Sequence, residues 1–239
     1  MKKRRSHFSG KKNHSTKRPQ VSQQTPPSQM AMVEMLLKAG ISLNLTQQDQ
    51  LWKYHQLIRK RNTDRELTRI IGFEPMVIKH YVDCMIVPRF WSLPSPLVDV
   101  GTGAGFPGIP LKILLPSLDL ILAEPRPKRI AFLNEVIQEL GLQKIDVFEH
   151  KVVSKSFTTP VKGVITRAVE TMDKTALRTS GSLQVGGQLI FMKGPQADDE
   201  VKEMKNRFQH QFKLLLDKPY QLPGTQHDRR LIVFEKTAQ

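Results

Sequence analysis

The residues of this chain best suited to chemistry are three closely spaced glycines at the end of an apolar run. They lie in Leu97-Val98-Asp99-Val100-Gly101-Thr102-Gly103-Ala104-Gly105, which continues into Phe106-Pro107-Gly108. A strand that enters a glycine turn and leaves as a helix brings main chain close to a ligand that a Cβ would push away. Pro107 suits the first helical turn, where its missing N–H is no loss. A second apolar run, Leu118 to Ala123, ends in Glu124, close to the offset of about 20 residues at which a carboxylate takes ribose hydroxyls. Together they predict a cradle for an adenosine-containing cofactor. Gly103-Ala104-Gly105-Phe106-Pro107-Gly108 also fits the dinucleotide spelling, which by itself is a weak signal. The register favours S-adenosyl-L-methionine over NAD, because the first glycine after the strand is Gly101 and Pro107 removes an N–H that a pyrophosphate would use. Asp99, a carboxylate inside a strand expected to be buried, needs a partner and reads as the organiser of the turn beside a cationic methionine group.

The elements around this cradle alternate in the order expected of a mostly parallel sheet. Gln29 to Ala39 predicts a short helix stopped by Gly40, and a second helix starts near Thr46, whose hydroxyl can cap it, with Leu51, Tyr54 and Ile58 on one face. Glu74-Pro75 announces a third, with Val77, Tyr81 and Met85 on one stripe and Lys79, His80 and Asp83 grouped by i, i+3 and i+4 spacing. Beyond the glycine loop come a helix from Pro127 to Leu140 closed by Gly141, strands Ile145 to Glu149 and Val164 to Thr166, and a helix from Thr171 to Ser180. Then follow a strand Gln188 to Lys193, a helix from Asp198, and a closing antiparallel pair, Phe212 to Asp217 and Leu231 to Glu235. The expected organisation is a basic disordered arm over 1–28, a small N-terminal helical extension over 29–92 and an α/β domain over 93–239, Rossmann-like, with helices on both faces of the sheet.

Charge names the class of partner. The net charge is +15, and Lys2, Lys3, Arg4, Arg5, Lys11, Lys12, Lys17 and Arg18 all precede the first acid, Glu34. Such an arm condenses on phosphate backbones through counterion release, without sequence preference. About +7 is left for the rest of the chain, which predicts a basic face on the folded part. No run of about 18 apolar residues is present, so no membrane span is expected, and the basic start has no apolar segment of a secretory signal. The single cysteine, Cys84, excludes an internal disulfide and a cysteine-cluster metal site and reads as a small core residue. A cytoplasmic monomer without metal is the expectation.

At this point four blocks carry a resemblance. They are Leu36-Leu37-Lys38-Ala39-Gly40-Ile41, Lys79-His80-Tyr81-Val82-Asp83, the glycine block extended through Ile109-Pro110-Leu111, and Lys128-Arg129-Ile130-Ala131-Phe132-Leu133. Smaller matches follow in Thr166-Arg167-Ala168, Met192-Lys193-Gly194, Leu222-Pro223-Gly224 and Arg229-Arg230. From about 30 to 236 the chain resembles the RsmG/GidB family of 16S ribosomal RNA guanine-N7 methyltransferases. The resemblance implies a class I S-adenosyl-L-methionine-dependent methyltransferase fold. It implies cofactor binding by Gly101, Gly103, Gly105, Phe106, Glu124, Val152, Val153 and Arg167, with Arg167 at the reaction face. Lys79, His80, Lys193, Arg229 and Arg230 become candidates for contact with 16S ribosomal RNA or the small ribosomal subunit.

The chemistry agrees with what the sequence lacks. Guanine N7 presents an in-plane lone pair and needs placement rather than a base. The chain has neither an Asn/Asp-Pro-Pro-aromatic loop nor a cysteine after the fourth strand. It departs from the family's usual Trp-Asn and Asn-Leu-Thr at Arg61-Asn62 and Glu66-Leu67-Thr68, from Arg-x-Glu at Lys151-Val152-Val153, and from an Asp at Lys162. Two other classes stay open: a non-catalytic or retargeted RNA-binding protein of methyltransferase fold, and a NAD-dependent oxidoreductase.

Overall fold

The computed structural model describes residues 26–238, so most of the expected basic arm lies outside the described residues. Ser28 caps α1 (Gln29–Lys38) by accepting from the Ala31 N–H. Helix α2 (Leu45–Arg65) is capped by Asn44 in a reciprocal box with Gln47, not by Thr46. Asn lies one position ahead of the first helical residue, where a side-chain oxygen reaches the orphan donors. The third predicted helix is a composite: α3 (Phe73–Met76), a π-helical turn over Val77–Val82, and α4 (Asp83–Met85).

The strands are β1 (Leu97–Val100), β2 (Leu120–Ala123), β3 (Ile145–Phe148), β4 (Val161–Arg167), β5 (Leu183–Lys193), β6 (Phe212–Gln221) and β7 (Asp228–Lys236). They form one seven-stranded sheet in the order β3-β2-β1-β4-β5-β7-β6. The first five are parallel, whereas β7 runs antiparallel to both β5 and β6. Chain order runs outward from β1 through β2 to β3, then returns to the other side of β1 with β4. That reversal opens a crevice at the carboxyl ends of β1 and β4, where an open parallel sheet takes its ligands. Helices α5 (Gly108–Leu114), α6 (Pro127–Leu140), α7 (Met172–Thr179) and α8 (Asp198–Arg207) complete the alternation; α6 ends on Gly141 in the left-handed region, as its sequence predicts.

The period of two sorts the core. Ile190 and Met192 of β5 join Leu231 and Val233 of β7 on the face covered by α2, α5 and α6. Leu189, Phe191, Ile232 and Phe234 point to the face covered by α7 and α8. The N-terminal helices belong to the first of these cores, since Met32, Leu51, Tyr54 and Tyr81 pack in the same cluster as Ile109 and Phe132.

Side chains of α2 also close helix ends of the sheet domain. The Gln47 amide donates to the Ile113 and Leu114 carbonyls at the end of α5, and Gln50 donates to the Leu140 carbonyl at the end of α6. These are carbonyls that a helix leaves without partners. The Tyr54 hydroxyl, fully buried, donates to the Ala104 carbonyl at 2.6 Å, and the Tyr54 ring packs 5.7 Å from that of Phe106. The glycine loop therefore rests on α2. Tyr54→Phe leaves the Ala104 carbonyl buried without its donor and should cost about 1–3 kcal/mol in urea unfolding; a loss under about 0.5 kcal/mol would mean that the loop does not lean on this bond.

Candidate functional site

The loop after β1 is tied at both ends by one carboxylate. Asp99 Oδ2 accepts from Thr102 Oγ1 at 2.6 Å and from the Gly108 N–H at 2.7 Å, so it spans the turn from its first residues to the start of α5. Asp99 is fully buried, and its Oδ1 has no partner among the described residues. Burial pushes its pKa up to about 7 against the two hydrogen bonds, which lower it. It organises the turn, as the sequence suggests, from behind the loop rather than from the ligand side.

Glu124 at the tip of β2 is held as firmly. It accepts from the Gly103 N–H at 3.1 Å through Oε2 and from the Arg126 N–H at 3.0 Å through Oε1. Arg129 Nη1 stands 3.7 Å from Oε2. Gly103 has φ +63, and the space of a Cβ there is open, with Arg129 Nη1 at 3.6 Å the nearest atom. Gly105, expected to touch the cofactor, is turned the other way: a Cβ would lie 2.5 Å from Ile109 and 3.0 Å from the Tyr54 hydroxyl. Its missing side chain makes room for the packing beneath the loop.

Two clefts meet at the strand ends. The first, of about 500 Å³, is lined by Val100, Gly101, Ala123, Glu124, Val152 and Arg167 among others. The second, of about 390 Å³, holds Thr68, Lys79, His80, Phe106, Lys193 and Arg229. Gly101, Arg167 and Ala168 belong to both. Ala168 takes φ +54, a left-handed conformation that costs a non-glycine residue roughly 1 kcal/mol or more; it sits where the chain leaves β4 at this shared wall.

Arg167 is the centre of the wall. Its Nη1 donates to the Lys79 carbonyl at 3.0 Å and to Asp83 Oδ2 at 3.2 Å, its Nη2 lies 2.8 Å from His80 Nδ1, and its guanidinium stands 5.2 Å from the centre of the Phe106 ring. An arginine only donates, so His80 Nδ1 accepts and the ring carries its proton on Nε2, 2.9 Å from Thr68 Oγ1. Burial, then the Arg167 charge, lowers the His80 pKa to about 3, and the neutral ring stacks on Phe106 at 4.2 Å. His80 and Asp83 are thus not an acid–base pair, because Arg167 stands between them. Asp83, buried in turn, also takes Arg229 Nε at 3.2 Å on Oδ1, with the Tyr220 hydroxyl at 3.5 Å.

The remaining expected residues divide. Lys79 and Arg229 line the second cleft. Lys193 lines it too, but its ammonium is spent on the Glu170 carbonyl and on Glu200 at 2.7 Å. Arg230 lies outside both clefts, locked to Asp217 and Asp198. A phosphate would have to displace these acids, which come from α8 and β6. Val152 lines the first cleft, whereas the Val153 N–H is donated to Ser156 Oγ and its side chain is exposed, so its main-chain donor is already used. Arg61 is paired with Glu135 of α6, away from both clefts, and Lys162 sits near the opposite end of β4 from Arg167. Sequence reading missed Arg126, Arg129 and Arg178 as lining of the first cleft; the first two follow Glu124 closely enough for that offset to have flagged them. Among the described residues, no helix is long and apolar enough to cross a membrane, and no group of three or more His, Cys, Asp or Glu could hold a metal ion.

Residues 47–230 match the family model described as rRNA small subunit methyltransferase G. The chain is 47% identical over 210 residues to ribosomal RNA small subunit methyltransferase G 2 of Syntrophobacter fumaroxidans, covering 88% of this chain and 42% of that protein. The protein of the same name in Bdellovibrio bacteriovorus is 38% identical, with 80% and 74% covered. The chain therefore spans less than half the length of the first of these relatives. Among solved structures, the glycopeptide N-methyltransferase MtfA in complex with S-adenosyl-L-methionine superposes with a TM-score of 0.54 at 10% identity, over 65% of this chain and 93% of that one. The likeness is one of fold, the class I methyltransferase sheet that the resemblance implies.

The raised Asp99 pKa has a signed consequence. The folded protein holds this proton up to about pH 7, while an unfolded Asp releases it near pH 4, so rising pH favours unfolding across that window. Asp99→Asn removes the titrating proton. Measured by denaturant unfolding, wild type should lose stability relative to the variant as pH rises from about 4 to 7 and hold steady above; a difference that is flat with pH would place the Asp99 carboxyl in the ordinary range.

Proposed function

This chain belongs to the rRNA small subunit methyltransferase G family, and from that premise we propose that it transfers a methyl group from S-adenosyl-L-methionine to N7 of a guanine in 16S ribosomal RNA, free or within the small subunit. It does so as a cytoplasmic monomer. The observation that carries this reading is the pair of clefts sharing the wall of Gly101, Arg167 and Ala168, one fitted to an adenosine and the other to a base.

The first cleft suits the donor. Each Glu124 oxygen already accepts one main-chain N–H, and a carboxylate has about four acceptor sites, so both oxygens can still take a hydroxyl from a ribose diol. Val100, Ala123 and Val152 are buried apolar walls for an adenine face. Gly101, on the wall that both clefts share, and Gly103, which lines the second cleft beside it, carry no Cβ and so let the methionine end approach main chain where the clefts meet.

When bound, the donor supplies an electrophilic methyl group on a cationic sulfur, which N7 takes with its in-plane lone pair while losing no proton. The residues then have to bind and align. The His80 ring is neutral and engaged at both nitrogens, so it serves as a stacked support for Phe106 and not as a base. Arg167 uses three N–H groups on Lys79, Asp83 and His80 out of five. We assign its spare donors to a reactant at the wall, and Lys79 and Arg229 to the RNA around the target base.

Isotopically labelled donor and purified 16S RNA or small subunits test this reading. Label should appear in guanine, and Gly103→Val should abolish transfer. Glu124→Ala should weaken donor binding by about 10- to 100-fold in calorimetry, the worth of hydrogen bonds to a charged group. Label in protein or in a small molecule would overturn the assignment. RNA binding with no heat at millimolar donor would favour the non-catalytic alternative.

A further inference from the structure

A third cleft, a groove of about 540 Å³, joins the outer rims of the other two. It is lined by Asn62, Glu66, Leu67, Thr68, Arg69, Arg126 and Arg129, and it shares Leu67 and Thr68 with the base-side cleft and Arg126 and Arg129 with the donor-side cleft. Its walls are the loop after α2 and the start of α6. Arg129 fastens one to the other, with Nη2 donating to the Glu66 carbonyl at 3.1 Å and Nη1 facing Glu124. Arg69 and Arg126 are exposed, and their guanidinium groups pair with no described residue. They differ in this from Arg61, Arg65, Arg178, Arg207 and Arg230, each of which has an acid.

We propose that this groove takes the RNA backbone next to the target guanine, with Arg69 and Arg126 on phosphate oxygens and Glu66 weakening the grip. This rests on the methyl-transfer reading above. Two unpaired guanidinium groups at a shared rim match the spacing-tolerant, bidentate way in which arginine binds phosphodiesters. The groove opens onto the base-side cleft at Leu67 and Thr68, so a strand that places a base in that cleft can lay its backbone along this rim, and every charge paired there releases counterions. Glu66 is the one acid in the lining, and it sits in the left-handed region at φ 49, where Asn is at home and Glu is not. Replacing it with Asn removes a negative charge beside the arginines and relieves the backbone at the same time.

The test uses the full chain and fluorescently labelled 16S RNA transcript, with affinity measured by anisotropy over a range of KCl. Arg69→Ala and Arg126→Ala should each weaken binding by roughly three- to tenfold and lower the salt slope by about 0.7, the value for one phosphate of a single strand. Arg69→Lys should keep the slope. For Arg69→Ala, KM for RNA should rise with kcat and donor affinity unchanged. Glu66→Asn should tighten RNA binding by about threefold, a gain that damage to the fold cannot mimic. Unchanged affinity and slope in both alanine variants, with wild type still methylating RNA, would overturn this inference alone. A wild type that neither binds nor methylates RNA would overturn the reading beneath it as well.

Discussion

A guanidinium cannot shed its charge inside a protein, and this is the constraint from which the site is built. Arg167 reaches the strand end with little exposure, so it needs acceptors that arrive from elsewhere. The helical segment Phe73–Met85 supplies all three, a carbonyl, a carboxylate and an imidazole lone pair. Removing the carboxylate would leave a buried cation unanswered, a loss of several kcal/mol in comparable cases. Because Asp83 also holds Arg229 from β7, one buried acid fixes side chains from both the parallel and the antiparallel parts of the sheet. The wall between the clefts is thereby braced from both sides by the same carboxylate.

Much of this architecture is legible in local signals of the sequence. The glycine loop, the α6 stop at Gly141 and the closing antiparallel pair are written in residues whose backbone preferences are strong. Strand lengths were less legible: β4 and β5 run beyond the predicted cores because Gly163 pairs with both Leu97 and Gln188, and because Val161 pairs with Leu183 across a register shift that takes up Gly186-Gly187. The helical grouping of Lys79, His80 and Asp83 assumed a 3.6-residue period, and the π-helical turn changes that spacing.

The site residues show the same limit more sharply. Lys193 and Arg230 read as free cations from their neighbours in sequence, yet their acids, Glu200, Asp198 and Asp217, arrive from other elements. Arg167 and Asp83 are 84 positions apart, and Arg229 and Asp83 are 146 apart. No periodicity reports pairs of that kind. What sequence did convey was composition at strand tips: an acid at Glu124, an arginine at Arg167, and small residues between.

The π-helical turn has one more consequence. Each residue advances an α-helix by about 100°, so trimming a single position from Val77–Val82 would restore ordinary winding and swing everything on one side of the excision around the axis. Lys79 and His80 would then part from Asp83, and the three acceptors of Arg167 would no longer converge. A change of length in this stretch should accordingly be as disruptive as loss of His80 or of the buried Tyr81, and its residue count is something that drifting descendants of this chain must preserve along with those side chains.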